Sequence, residues 1–306
     1  MQKTKTILAI GSIAIDTLQT PNGNRDNVLG GSATFFALAA ALFVPVKLVG
    51  VVGNDYPRTG WELLKSRNIN TDNIQILDGK TFRWGAKYNH DYSSRDTLFT
   101  ELGVFDSFSP LILDEDRRSP FVFLGNIHPD LQLEVARLTV SAEYIVSDTM
   151  NLWIDMSPDK VGEVLAISSV FLLNHEEAFQ FTGTNDIPDA ANQLHAAGPD
   201  IVVIKMGADG SYLSFKDGAL FVPVFPVEKV VDPTGAGDSF AGGFMGCLAQ
   251  GGKPDFLEAV LTGSAVASYS VENFGPESLL SVTRKDLEGR IAAIKGRMPV
   301  KGVALK

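Results

Sequence analysis

The run Val230-Val-Asp-Pro-Thr-Gly-Ala-Gly-Asp-Ser-Phe-Ala-Gly-Gly-Phe244 concentrates the chemistry of this chain. Pro233 disfavours helical geometry at Asp232, so the segment enters extended. Thr234 suits an N-cap, and the small residues Gly235, Ala236 and Gly237 leave backbone N–H groups unobstructed at a helix start. Those donors, with the positive helix end, form an anion site. Asp238 falls in the first turn, where it is expected to stay ionised and available as a base. A glycine-rich helix start can serve packing alone; an acid set inside the anion turn points to catalysis.

Other candidate groups fall at the ends of apolar runs. Asp16 closes the first, where ligands bind in open α/β sheets. Gly30-Gly31-Ser32-Ala33 opens an Ala-rich helix, and such a pair alone reads as a turn. Asn174-His-Glu-Glu177 follows another run; it reads as a helix cap with acids in the first turn, and equally as oxygen donors for a hard cation. Phe179 stands where a zinc-binding HExxH motif would need its second histidine. Lys205 precedes the turn Gly207-Ala-Asp-Gly210, and Asp148-Thr-Met-Asn151 follows a further run.

These positions require elements to hold them. Strands are expected at Thr6–Gly11, Val46–Val52, Ile74–Leu77, Phe121–Leu124, Tyr144–Ser147, Val170–Leu173 and Ile201–Lys205. Helices are expected at Ser32–Val44, Thr59–Arg67, Asp130–Leu138, Lys160–Ile167, Glu176–Thr182, Pro188–Ala197, Gly235–Gln250, Asp255–Val271 and Arg284–Gly296. The alternation predicts a mainly parallel sheet with helices on both faces. Two polar excursions, Thr17–Val28 and Lys80–Phe105, break it. They are expected to pair as a small lid sheet, because loops above about 12–15 residues are uncommon unless functional. Arg83, Trp84, Tyr88, Tyr92 and Arg95 lie in the second excursion; the aromatics suit stacking on a ligand, an apolar sheet face or a dimer contact.

At Asp232-Pro-Thr-Gly-Ala-Gly-Asp238 the chain closely resembles the D-x-x-G-x-G-D signature of the PfkB/ribokinase family of small-molecule kinases. Gly30-Gly31 and the N-x-x-E motif of Asn174–Glu177 occur in the order that family prescribes. The resemblance implies a ribokinase-like three-layer α/β/α core forming one domain over 1–306, with a lid from about 13–30 and 80–105. It implies that Asp238 takes the proton of the acceptor hydroxyl, while the N–H groups of Gly235, Ala236 and Gly237 stabilise the transferring γ-phosphoryl group. Asp16, Gly30, Gly31 and Ser32 would bind the acceptor, although many members carry Asn where this chain has Ser32. Asn174 and Glu177 would organise Mg²⁺ through water, and Lys205, Gly207 and Gly210 would border the ATP. Asn273, in an expected helical run Gly263–Phe274, would line the adenine pocket. Asp148–Asn151 resembles a D-x-N segment beside the phosphates, and Asp232 and Thr234 match a monovalent-cation site of some members.

The implied activity is ATP-dependent phosphorylation of a hydroxyl on a small sugar. Its alternatives are an adenosine-like nucleoside kinase and a non-catalytic sugar-binding regulator, against which the retained Asp238 and glycine loop count. No Walker GxxxxGK[ST] or dinucleotide GxGxxG motif competes.

Composition agrees. The chain has 306 residues and a formal charge of −10, which disfavours nucleic acid and anionic membranes as partners. The single cysteine, Cys247, excludes an intramolecular disulfide framework. The apolar run Ile7–Ile15 faintly imitates a secretory signal but ends at Asp16, and Pro45 splits Ala33–Val52 into a helix and a strand. A cytoplasmic protein is expected, with aromatics in the lid making a homodimer plausible.

Overall fold

In the computed structural model, which describes residues 5–92 and 94–298, the apolar run Ile-Leu-Ala-Ile forms β1 (Ile7–Ile10). The expected domain's two ends and Ser93 in the second excursion lie outside the described residues. All four side chains of β1 are buried: Ile7 and Ala9 enter one hydrophobic cluster, Leu8 and Ile10 another. A strand buried on both faces belongs at the centre of a helix-covered sheet.

After β1 the chain makes a hairpin, β2 (Ala14–Thr20) and β3 (Gly23–Gly30), then α1 (Ser32–Ala40) leads to β4 (Val46–Gly53). Next come α2 (Arg58–Ser66) and β5 (Asn70–Leu77), followed by a second hairpin, β6 (Phe82–Tyr88) and β7 (Arg95–Glu101). Alternation resumes with β8 (Phe121–Leu124), α3 (Pro129–Leu138), β9 (Tyr144–Asp148), α4 (Asn151–Met156) and α5 (Pro158–Ile167). It continues through β10 (Val170–Asn174), α6 (His175–Thr182), α7 (Ile187–Ala197) and β11 (Ile201–Lys205). An antiparallel hairpin, β12 (Ser211–Phe215) and β13 (Gly218–Val222), closes the sheet. Four helices follow: α8 (Ala236–Ala249), α9 (Phe256–Ser270), α10 (Glu277–Ser281) and α11 (Arg284–Gly296).

The nine-stranded sheet runs β13-β12-β11-β10-β9-β8-β1-β4-β5, parallel from β11 to β5. One cluster packs α1, α8 and α9 on one face, and the other packs α3, α5 and α7 on the opposite face. This is the expected three-layer α/β fold. The helices on the first face approach closely: a Cβ at Gly242 would lie 2.4 Å from the Phe36 carbonyl oxygen, and one at Gly243 would lie 2.8 Å from Val266. Only glycine allows α8 to sit between α1 and α9 at that distance.

The two polar excursions pair in a separate four-stranded sheet, order β3-β2-β6-β7. Its centre is the parallel pair β2–β6, with Asp16 opposite Trp84. Leu18, Ala86, Tyr88 and Phe274 form a small buried cluster of its own.

Several boundaries differ from expectation. The first helix ends at Ala40, before Val44, while α9 ends at Ser270, beside the expected Val271 and short of the helical run expected to carry Asn273. The hairpin β12–β13 beyond Gly210 and the short helices α4 and α10 have no counterpart in the sequence reading.

Candidate active site

Parallel strands bring their carboxyl ends to one edge of the sheet, and the polar residues follow. Asn174 pairs in register with Lys205, and Asp148 pairs with Leu172 one strand over. Lys205 is ion-paired to Asp148, its Nζ 3.1 Å from Oδ2. The same ammonium would lie 3.2 Å from a Cβ at Gly237, which brings the strand ends to the start of α8.

That start is built differently from the expected cap. Gly235 is the N-cap residue, with φ of 74°, and no side chain caps α8. Any Cβ at Gly235 would fall 2.3 Å from the Phe35 ring, so glycine is required by both conformation and space. The Thr234 hydroxyl turns instead to Tyr88 in the small sheet, at 2.8 Å. Asp232 is fully buried; its carboxylate accepts from the Thr234 amide at 2.9 Å and the Gly275 amide at 3.0 Å. Both oxygens thereby tie the residues around the expected cation-binding position to the turn after α9. Burial raises the Asp232 pKa, opposed by those hydrogen bonds.

Asp238 departs from the expectation of a plainly ionised acid. Burial, then the neighbouring Asp148, push its pKa up to about 7, while Lys205 and Arg95 pull it down. A carboxyl poised there is better suited to exchange a proton at neutral pH. Glu177 behaves alike: burial and Asp148 raise it to about 7 against Lys205. Burial disfavours the charged Lys205, yet Asp148 and Glu177 more than offset this and hold its pKa above the ordinary value.

Asn174 and Glu177 form a reciprocal capping box. The Asn174 side chain accepts from the Glu177 amide at 2.8 Å, and the Glu177 carboxylate accepts from the Asn174 amide at 2.7 Å. With those oxygens spent on backbone, the pair fits a hydrated Mg²⁺, whose waters they can orient, rather than a directly ligated one. Among the described residues no group of three His, Cys, Asp or Glu forms a metal cage.

On the small sheet Asp16 is 3% exposed, and none of the described residues hydrogen-bonds its Oδ1. Burial, then Asp232 and Asp238, push its pKa up to about 8. A Cβ at Gly30 would lie 1.9 Å from Asp16 Oδ2, so this glycine makes room for the carboxyl. Gly31 has φ of 92° and leads into α1. The Ser32 hydroxyl accepts from the Ser12 amide at 3.0 Å, and its amide donates to the Ser12 hydroxyl at 3.0 Å. This exchange stitches the end of β1 to α1.

The remaining candidates are more dispersed. Gly207 and Gly210 shape the turn from β11 to β12, where the Met206 amide donates to the Gly210 carbonyl at 2.8 Å. Asn273 is exposed on the turn after α9, not on a helix, and accepts from the Phe274 amide. Sequence reasoning passed over Gln132, whose buried side-chain amide reaches the carbonyls of Leu124, Gly125 and Asp148 and holds the ends of β8 and β9 together. A lone glutamine in an amphipathic helix offers no signal for that role. Arg95, noticed only as a charge among aromatics, places a guanidinium 5.5 Å from the Trp84 ring and acts on both Asp238 and Glu177.

The geometry brings together an acid in the first turn of α8, a lysine at the parallel strand ends and a second acid on a separate sheet. The family model described as pfkB family carbohydrate kinase matches residues 5–282, and the chain belongs to that family. It is therefore a phosphotransferase. It is 32% identical over 257 residues to a cytidine kinase of Thermococcus kodakarensis, covering 80% of this chain and 89% of that protein. It is also 26% identical over 308 residues to the ribokinase of Haemophilus influenzae, covering 93% and 98%. Among solved structures, the Burkholderia thailandensis nucleoside kinase in complex with inosine has the same fold at a TM-score of 0.81, with 18% identity over 96% of this chain and 99% of that one. The E. coli putative ribokinase II with ATP and Mg²⁺ gives 0.79, with 18% identity over 94% and 99%.

Proposed function

We propose that this chain transfers the γ-phosphoryl group of ATP to a sugar hydroxyl of a nucleoside. The observation that carries the reaction is Asp238, its pKa near 7, in the first turn of α8 beside the Gly235–Gly237 amides. The acceptor lies between Asp16, Gly30 and Gly31 on one side and Asp238 on the other. Asp238 takes the hydroxyl proton as the acceptor oxygen bonds to Pγ and the bond to the ADP oxygen breaks. The N–H groups of Gly235, Ala236 and Gly237 receive the charge of the transferring group. Lys205 turns from Asp148 to the phosphates, Arg95 adds positive charge near Asp238, and Gly207 and Gly210 border the nucleotide. Mg²⁺, when bound, neutralises phosphate charge, and Asn174 and Glu177 orient its waters.

The cytidine kinase relative supports a nucleoside acceptor, and the half-buried Trp84, opposite Asp16 in the small sheet, provides a surface suited to a base. A free sugar is the second reading, favoured by the ribokinase relative that aligns over 93% of this chain. The small sheet serves in this proposal as a lid that excludes water, the competing acceptor. Its β7 edge, with Leu98 44% exposed, is the surface for a homodimer.

The test is an acceptor panel of cytidine, uridine, adenosine, inosine, ribose and fructose with Mg–ATP, scored by ADP release and product phosphate. A nucleoside with the highest kcat/KM supports the reading. Preference for ribose or fructose replaces it with the sugar kinase, and no turnover with any acceptor overturns it.

A further inference from the structure

Residues 223–235 carry no helix or strand, so no ladder fixes the approach to the anion loop. Hydrogen bonds from two directions do so. On one side the Val231 amide donates to the Val271 carbonyl at 2.8 Å, and Asp232 grips Gly275. On the other side the small sheet reaches across. The Asn22 side-chain amide, in the β2–β3 turn, donates to the Val230 carbonyl at 2.8 Å and to the Tyr92 hydroxyl at 2.6 Å. That hydroxyl donates in turn to the Val231 carbonyl at 3.0 Å. The Tyr88 hydroxyl meets the Thr234 hydroxyl at 2.8 Å, one residue before Gly235.

We infer that Tyr88, with Asn22 and Tyr92, is a positioning residue that fastens the anion loop to the sheet carrying Asp16. The inference rests on the kinase reading of the site. Asp16 lies on β2 and Tyr88 on β6, strands paired in register from Ala14↔Phe82 to Gln19↔Lys87. One rigid element thus holds the acceptor-side acid and sets where the Gly235–Gly237 amides stand. An acceptor engaged by Asp16 is thereby kept in register with the donors that receive the transferring phosphoryl group. Small misplacement of such donors is costly because phosphoryl transfer depends on positioning. The Tyr88 ring already has an independent role, packing with Leu18, Ala86 and Phe274, so its hydroxyl can be removed without emptying the cluster.

The experiment uses Tyr88→Phe, Thr234→Val and the double variant in the full chain. Tyr88→Phe should lower kcat about tenfold, the scale of one hydrogen bond, with both KM values within about twofold. Its Tm should be unchanged, and the double variant should be no worse than the poorer single one. Hydrogen exchange without substrates should quicken at the amides of 235–238, with the interior of α8 still protected. Wild-type kcat and exchange in Tyr88→Phe, independent effects of the two substitutions, or a kcat loss matched by a loss of Tm would each overturn the inference. If the wild type phosphorylates nothing while exchange still quickens in Tyr88→Phe, the tether stands and the kinase reading falls.

Discussion

Asp16, buried, and Asp238, half-buried, are both acids with raised pKa values, yet their consequences differ. Asp238 must give up its proton before it can accept one, so kcat/KM for the acceptor should rise as pH passes through about 7. Asp238→Asn keeps the shape and removes the proposed base. It should lower kcat about a thousandfold, with ATP binding by calorimetry retained. A variant retaining more than a tenth of wild-type turnover would reassign the base. Asp16 is held near pKa 8 in the folded chain, whereas an unfolded carboxyl titrates near pH 4. The folded state therefore holds the extra proton through that window, and its stability falls as pH rises from about 4 to about 8. Asp16→Asn removes that cost. Its Tm should exceed the wild type by at least about 2 °C at pH 9 and match it at pH 4, while its acceptor KM rises. An equal Tm at pH 9 would show that Asp16 ionises without cost.

At the scale of elements, the sequence was most readable where chemistry and periodicity coincide. The apolar runs of β1, β8, β10 and β11 are buried on both faces, and helix α11 has the expected bounds Arg284–Gly296. The anion turn was legible because glycine and proline restrict backbone geometry locally. Illegible parts depend on partners distant in sequence. Nothing local reveals that the Ser12 amide donates to the Ser32 hydroxyl. Thr234 looked like a cap because Tyr88 lies 146 positions away. Neither the shift of Asp238 nor the placing of Gln132 across β8 and β9 can be read from neighbours in the chain. Two changes test the elements themselves. Gly31 has φ of 92°, and a Cβ there would lie 2.3 Å from the Ser12 carbonyl oxygen. Gly31→Ala should cost about 2 kcal/mol or more, read from the urea midpoint at unchanged slope. Lys205→Met leaves the buried acids Asp148 and Glu177 without their cation. It should cost about 3 kcal/mol at pH 8, and less at pH 5, where Glu177 is protonated in both proteins. A loss independent of pH would mean that the Glu177 charge draws nothing from Lys205.

At the scale of the whole molecule, a protein of net charge −10 has to admit a polyphosphate. Five of the acids counted in that excess, Asp16, Asp148, Glu177, Asp232 and Asp238, gather at its site, against Lys205, Arg95 and the start of α8. The distant field repels Mg–ATP while the contacts at short range attract it, and salt separates the two. Screening lengths fall from about 30 Å at 0.01 M to about 8 Å at 0.15 M, which removes the distant term and leaves buried contacts nearly intact. The KM for Mg–ATP should therefore hold or fall over that range. Tetramethylammonium chloride is the suitable salt, since ionic strength then changes without adding a small metal cation. A rise of more than about twofold would mean that a local positive field captures the nucleotide from a distance. The acceptor responds by its own charge. A neutral nucleoside or sugar should show a KM flat across the series, whereas a phosphorylated sugar would bind better as salt screens the acidic surface. The same titration thus measures how the fold overcomes its own charge and narrows the class of molecule it phosphorylates.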